Sequence, residues 1–153
     1  MVDKFYTAFK NGDAEAMIAC YDDNVEFTDP AFGNLQGDKA KAMWRMLLSS
    51  GSNPEVSFSD VSETSESGEA KWEAKYEFAG KPVHNKVTAK FTIKDGKIIK
   101  HVDTFDFWTW SSQALGLPGK LLGWTSFLNN KVSKGANAKL DKFMAKTAPE
   151  VVI

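Results

Sequence analysis

At residue 55 the chain changes its hydrophobic period, and that change narrows the possible folds more than any other feature. Before it, apolar residues recur every three or four positions: Phe5, Ala8 and Phe9, then Met17, Ile18 and Tyr21, then Ala40, Met43, Trp44, Leu47 and Leu48. After it they alternate: Val56 and Phe58, then Ala70, Trp72, Ala74, Tyr76 and Phe78, then Val83, Val87, Ala89, Phe91 and Ile93. The first spacing builds one face of a helix and the second one face of a strand. Helices followed by a run of strands predict an α+β fold, with the N-terminal helices packed on one face of an antiparallel sheet. Long strands on a twisted sheet curve, so the expected form is a cone.

Punctuation sets the boundaries. Asn11-Gly12-Asp13 ends a helix over 2–11 and caps a second over 14–21. Val25, Phe27 and Asp29 share one face of a strand that Pro30 ends, and residues 31–37 read as loop. Asp38 caps a third helix, closed by Gly51 and Pro54. Gly80-Lys81-Pro82 and Asp95-Gly96 mark hairpin turns. The last strand is expected from Lys97 to about Trp108, with Ile99, His101, Asp103, Phe105 and Phe107 on one face. The whole of 1–153 reads as one domain, with 109–147 as a helical C-terminal extension. There Ser111 is the expected cap of a short helix ending near Gly116. A second stripe runs Leu121, Trp124, Leu128, Val132, Ala136, Leu140 and Phe143. The Trp108–Phe127 region is rich in residues typical of interfaces. The expected role is a lid at the mouth of the cone rather than a membrane element.

Lys and Arg total 19 against 20 Asp and Glu. No basic field attracts phosphate backbones, which argues against nucleic-acid binding. The lone Cys20 forms no internal disulfide and fits a reducing cytoplasm, and no stretch is long enough to span a bilayer. Phosphate loops, dinucleotide fingerprints, nucleophile elbows and zinc motifs are absent from the sequence. No cofactor is implied.

Two carboxylates fall on apolar strand faces, Asp29 and Asp103. Burial favours the protonated form, and a second carboxylate nearby reinforces this, tuning such groups toward acid-base chemistry at neutral pH. Each also has a structural reading: Asp29 as a turn cap before Pro30, Asp103 as acceptor for a neighbouring side chain. His101 shares the face of Asp103 and serves either as its tuner or as a satisfied core histidine. His84 falls on the polar face, and two histidines on opposite faces make no metal site. Phe9, Phe27, Trp44, Trp72, Tyr76 and Phe105, with the amide of Asn85, are the expected lining of an apolar pocket for a small hydrophobic molecule.

These pieces occur in an order that resembles the nuclear transport factor 2-like superfamily, which includes ketosteroid isomerases, limonene-epoxide hydrolases and SnoaL-like cyclases. The matching segments are Asn11-Gly12-Asp13, Asp22 to Phe27, Thr28-Asp29-Pro30, Asp95 to Ile98 and His101 to Asp106. In the isomerases the base is an aspartate before proline, which Asp29 matches. Their tyrosine donor aligns with Phe5, one step from Tyr6, and their protonated aspartate aligns with Ala89. The epoxide hydrolases' aspartate matches Asp103, but their Arg-x-Asp pair meets Trp72 and Ala74. SnoaL-like cyclases place an acid-base aspartate near Asp103, often with histidine help, and are the closest. The resemblance implies cofactor-independent isomerisation, cyclisation or hydrolysis through Asp103, His101 and Asp29, with a homodimer formed through the sheet. The alternative is a non-catalytic small-molecule or lipid-binding module.

Overall fold

The alternating stretches become four long strands of one six-stranded sheet. The computed structural model describes residues 1–49, 54–78 and 80–147; Gly51, expected to close the third helix, lies outside them. The elements are α1 (Val2–Lys10), α2 (Ala14–Ile18), β1 (Tyr21–Asp29), β2 (Gly33–Gln36), α3 (Asp38–Ser49), β3 (Glu55–Glu63), β4 (Ser67–Phe78), β5 (Lys81–Lys94), β6 (Lys97–Thr104), α4 (Phe107–Leu115), α5 (Leu117–Leu122) and α6 (Ser126–Thr147). The fold is α+β, as the change of period predicts.

Strand order is β2-β1-β6-β5-β4-β3. All pairs are antiparallel except β1 with β6, which run parallel. On β5, Val87, Ala89, Phe91 and Ile93 are buried while Lys86, Thr88, Lys90 and Thr92 face solvent. The buried face packs on α1 and α3 through Phe5, Tyr6, Phe9, Met43 and Trp44. Asp95 and Gly96 both adopt positive φ, 52° and 73°, the type I′ geometry that matches strand twist.

Several boundaries differ from expectation. Residues 33–36 form β2 on the edge of the sheet, because Phe27 to Asp29 offer free backbone partners to Leu35, Asn34 and Gly33. The register of β5 against β6 slips between Thr92 and Ile93, a bulge at Ile99. That bulge turns Ile98 inward, fully buried, and leaves Ile99 half-exposed. β6 stops at Thr104, because the Asp106 carboxylate accepts from the backbone N–H groups of Trp108 and Thr109 and starts α4. Ser111 is therefore inside the helix, its hydroxyl bonded to the Trp108 carbonyl, and does not cap it. Leu47 lies at the exposed edge of α3 and Ala42 takes its place in the core.

The C-terminal helices do two separate things. Along α6, Asn129, Ser133 and Asn137 recur every fourth residue, one helix face. Asn129 Nδ2 donates to the Pro30 carbonyl at 2.9 Å and Asn137 Nδ2 to the Phe32 carbonyl at 2.9 Å, with Ser133 Oγ on Phe32 at 3.3 Å. Leu140 completes the anchor, fully buried in the core. In contrast, Leu121 and Trp124, expected on the buried stripe, point into solvent. The reason is Gly119: α5 lies so close to α4 that a Cβ there would stand 1.8 Å from the Ser111 carbonyl oxygen. The inward face of α5 is made of glycine, so its large residues have only the outside. Gly119→Ala is expected to lower stability by about 2 kcal/mol, as over-packing does, read as a shift of the urea midpoint.

Candidate functional site

The site starts from the parallel pairing of β1 and β6. Phe27 stands beside His101 and Thr28 beside Val102. One residue further along this register Asp29 comes beside Asp103. On the other side, antiparallel β5 sets Phe91 against His101 and Ala89 against Asp103. The two acids therefore fall at the same end of neighbouring strands, near enough for the charge of Asp103 to act on Asp29.

His101 is fully buried and enclosed by rings. Phe91 stacks on it at 4.2 Å between centroids, Trp44 lies parallel at 6.2 Å, and Phe5 and Phe27 meet it edge-on at 5.4 and 5.0 Å. Both ring nitrogens are nevertheless used. Nε2 bonds to Asp103 Oδ1 at 2.8 Å, and Nδ1 to the Tyr21 hydroxyl at 2.7 Å. Trp44 Nε1 donates to that hydroxyl at 2.9 Å. An indole N–H only donates, so the tyrosine oxygen accepts from Trp44, and the arrangement that satisfies every group sends its own proton to His101 Nδ1. That direction leaves the proton of the ring on Nε2, aimed at Asp103. Trp72 Nε1 also donates to Asp103 Oδ1, at 3.4 Å. Among the described residues nothing bonds Asp103 Oδ2.

Asp29 is at the rim, half-buried. Its Oδ1 accepts from the backbone N–H groups of Ala31 at 3.0 Å and Phe32 at 2.6 Å, so the turn reading of this residue is correct as structure. Burial, reinforced by the charge of Asp103 and only partly offset by the two backbone donors, pushes its pKa up to about 7. Tyr76 is close enough for the charge of Asp29, added to burial, to push its phenol up. The Tyr76 hydroxyl accepts from Trp110 Nε1 at 2.8 Å. Phe105 is half-buried and bridges the main core and the smaller cluster under α4.

Of the other expected lining residues, Phe9, Phe27 and Trp44 are packed into one another, with ring centroids 5.1 to 5.5 Å apart. Trp72 reaches Phe9 at 5.2 Å. Asn85 is half-buried on β5 opposite Ala74. Two surface depressions of about 330 and 320 Å³ lie at Asp22, Asn24 and Lys97 and at Gly12, Arg45 and Phe143. Neither borders Asp29 or Asp103. His84 is on the outer face, 3.1 Å from Glu73. Among the described residues no cluster of His, Cys, Asp or Glu is arranged to hold a metal ion.

Tyr6 belongs to the site although the apolar stripe of the first helix does not mark it. Its side chain is fully buried, between Phe58 at 5.6 Å and Phe91 at 5.9 Å, and its hydroxyl has no hydrogen-bond partner among the described residues. Burial, then the charge of Asp103, pushes its phenol well above the usual range. The sequence signal was Val2-Tyr6-Phe9, a second helical row beside Phe5 and Phe9. An unmet buried donor near a carboxylate is the kind of group that a ligand would satisfy.

A curved sheet wrapped on N-terminal helices, with polar groups converging on its concave face, is the architecture of the nuclear transport factor 2-like class. The chain belongs to the SnoaL-like domain family, whose profile matches residues 2–101. Among solved structures it is similar to a hypothetical protein with a ketosteroid isomerase-like fold from Catenulispora acidiphila in complex with trimethylamine. The identity is 16%, the TM-score 0.65, and the match covers 81% of this chain and 95% of that one. An epoxide hydrolase of the limonene-epoxide hydrolase type from Mycobacterium tuberculosis matches at 20% identity and TM-score 0.63, covering 79% and 92%. TerC co-crystallised with polyporic acid matches at 15% and 0.64, covering 74% and 95%. At such identities the likeness is one of fold. No curated protein matches the chain.

Two outcomes are expected. Asp29 holds its proton more tightly folded than unfolded. Its neutral form therefore costs nothing at about pH 4, and stability falls as pH rises from there through about 7. Asp29→Asn should leave the melting temperature unchanged at about pH 4 and raise stability by about 2 kcal/mol at pH 8, measured by thermal melts across that range. Tyr21→Phe strips Trp44 Nε1 and His101 Nδ1 of their partner in a dry core and should cost about 2 kcal/mol, measured by urea unfolding.

Proposed function

We propose that the chain binds a small hydrophobic molecule over the concave face of the sheet and moves protons on it with the side-by-side carboxyl groups of Asp29 and Asp103. The carrying observation is that pair: one acid tuned to about pH 7, the other fixed through Oδ1 with Oδ2 left open. Near neutrality Asp29 passes between acid and base with little driving force, which suits it to deliver or collect a proton. Asp103 Oδ2 serves as the companion acid-base atom. His101 does not meet the ligand. It is a positioning residue, holding Asp103 while its own second nitrogen is held by Tyr21. Tyr6 supplies an unspent hydroxyl toward a ligand oxygen.

The chemistry that fits is isomerisation, cyclisation or hydration without a cofactor. The epoxide hydrolase and TerC, co-crystallised with the small organic molecule polyporic acid, lend support by fold. Entry runs past Phe32, Tyr76 and Phe105, the half-buried side chains at the rim, since the rings of Phe9, Phe27 and Trp44 fill the depth. That dense filling favours a second reading, a binding module without turnover. Pairing of two copies through the outer face of the sheet remains part of the proposal.

The test is a panel of ketones, polyketide-like esters and epoxides. Asp103→Asn keeps an acceptor for His101 and should lower kcat by about 100-fold or more with little change in fold. Turnover that survives Asp103→Asn removes the acid-base role. A co-purified ligand seen by native mass spectrometry, with no turnover by the wild type, selects the binding module.

A further inference from the structure

We propose that the corner formed by α4, α5 and the start of α6 docks onto the surface of an anionic lipid bilayer. Six large apolar side chains face solvent there: Trp108, Leu117, Leu121, Leu122, Trp124 and Phe127. Leu117, Trp124 and Phe127 are 67%, 71% and 68% exposed. Single exposed apolar residues are ordinary on proteins, but a contiguous set marks an interaction surface.

The arrangement inverts that of a core helix. In α5 and the residue after it, the buried positions are Gly119 and Gly123, which rest on Ser111 and Trp108 of α4, while the leucines point out. The two exposed indoles are held in place, Trp108 Nε1 on the Lys120 carbonyl at 3.0 Å and Trp124 Nε1 on the Leu121 carbonyl at 3.1 Å. Little ordering is left to do on binding, and the ring faces are what the surface offers.

Charge selects the occupant. From Phe107 to Leu140 the chain carries Lys120, Lys131, Lys134 and Lys139 and no acidic residue. All four lysines are exposed. Phe127, Lys131 and Lys134 fall at i, i+4 and i+7, on one face of α6, so cationic groups flank the apolar tip. Apolar side chains that enter the headgroup boundary beside lysines are the composition of an interfacial anchor. A second copy docking on the same face would set lysine against lysine. None of the described helices is long and apolar enough to cross a membrane, so the contact is one of surface.

The experiment is co-flotation of the full chain with vesicles of phosphatidylcholine alone and of phosphatidylcholine with about 30% phosphatidylglycerol. Wild type should float with the anionic vesicles and at least about tenfold less with the neutral ones. Leu121→Ser with Trp124→Ser, and separately Lys131→Glu with Lys134→Glu, should each reduce partitioning about tenfold or more. All four positions are exposed, and circular dichroism confirms that each variant is folded. Wild type that stays unbound with both vesicles overturns the proposal, as does binding that neither double variant changes. Sedimentation velocity that shows a dimer dissociated by Leu121→Ser with Trp124→Ser, without flotation of the wild type, also overturns it and assigns the face to a second copy.

Discussion

Parallel pairing of the first strand with the last is the constraint from which the site follows. β1 enters the sheet beside β6, and its register sets each inward residue of one strand against an inward residue of the other. Phe27 thereby closes one side of His101, and the next inward step carries Asp29 to Asp103. An antiparallel neighbour in the same place would reverse the order of β1 and separate the acids by the length of the strand. β5 adds a large ring opposite His101 and only a methyl group opposite Asp103, so the histidine is sealed while the carboxyl keeps an open oxygen.

Burying a histidine among five aromatic rings, with an aspartate beside it, is tolerable because every polar group between Trp44 and Asp103 has a partner. Two donor-only indoles, Trp44 and Trp72, close the chain at its ends, and one direction of the bonds between them satisfies every group. The result is rigidity at Asp103. Asp29 is built differently, with backbone donors from a turn and partial contact with solvent, and it carries the raised pKa. One acid is stiff and the other adjustable, the difference on which their proposed roles rest.

Much of this was legible in the residues. The alternation from Ala70 to Phe78 and from Val83 to Ile93, the Asp95-Gly96 turn, the Asn11-Gly12-Asp13 junction and the inward parity of His101 and Asp103 match the structure. What escaped was non-local. Nothing in β1 itself tells whether its neighbour is parallel, and the bulge at Ile99 inverts parity only because β5 meets β6 with one residue to spare. Asp106 continues the pattern of the strand, yet its carboxylate caps a helix instead, since two backbone N–H groups lie within reach. Helical spacing placed Leu121 and Trp124 with Leu128. It could not show that glycine, occupying the inner side of α5, had already taken the space against α4. Tyr6 stands one step from the aligned donor position, but the burial of its hydroxyl without a partner among the described residues is a tertiary fact that helical spacing does not carry.

The turn after Asp29 is gripped from two directions. Its N–H groups, at Ala31 and Phe32, are bound by the Asp29 carboxylate, and its carbonyls, at Pro30 and Phe32, by the amides of Asn129 and Asn137 on α6. The turn of Pro30, Ala31 and Phe32 thus links α6 to a carboxyl group about a hundred residues earlier in sequence. The peptide unit between Pro30 and Ala31 is held at both ends, its carbonyl by Asn129 on α6 and its N–H by Asp29. The seat of the C-terminal helix and the hydrogen bonding of Asp29 thus meet in a single peptide plane.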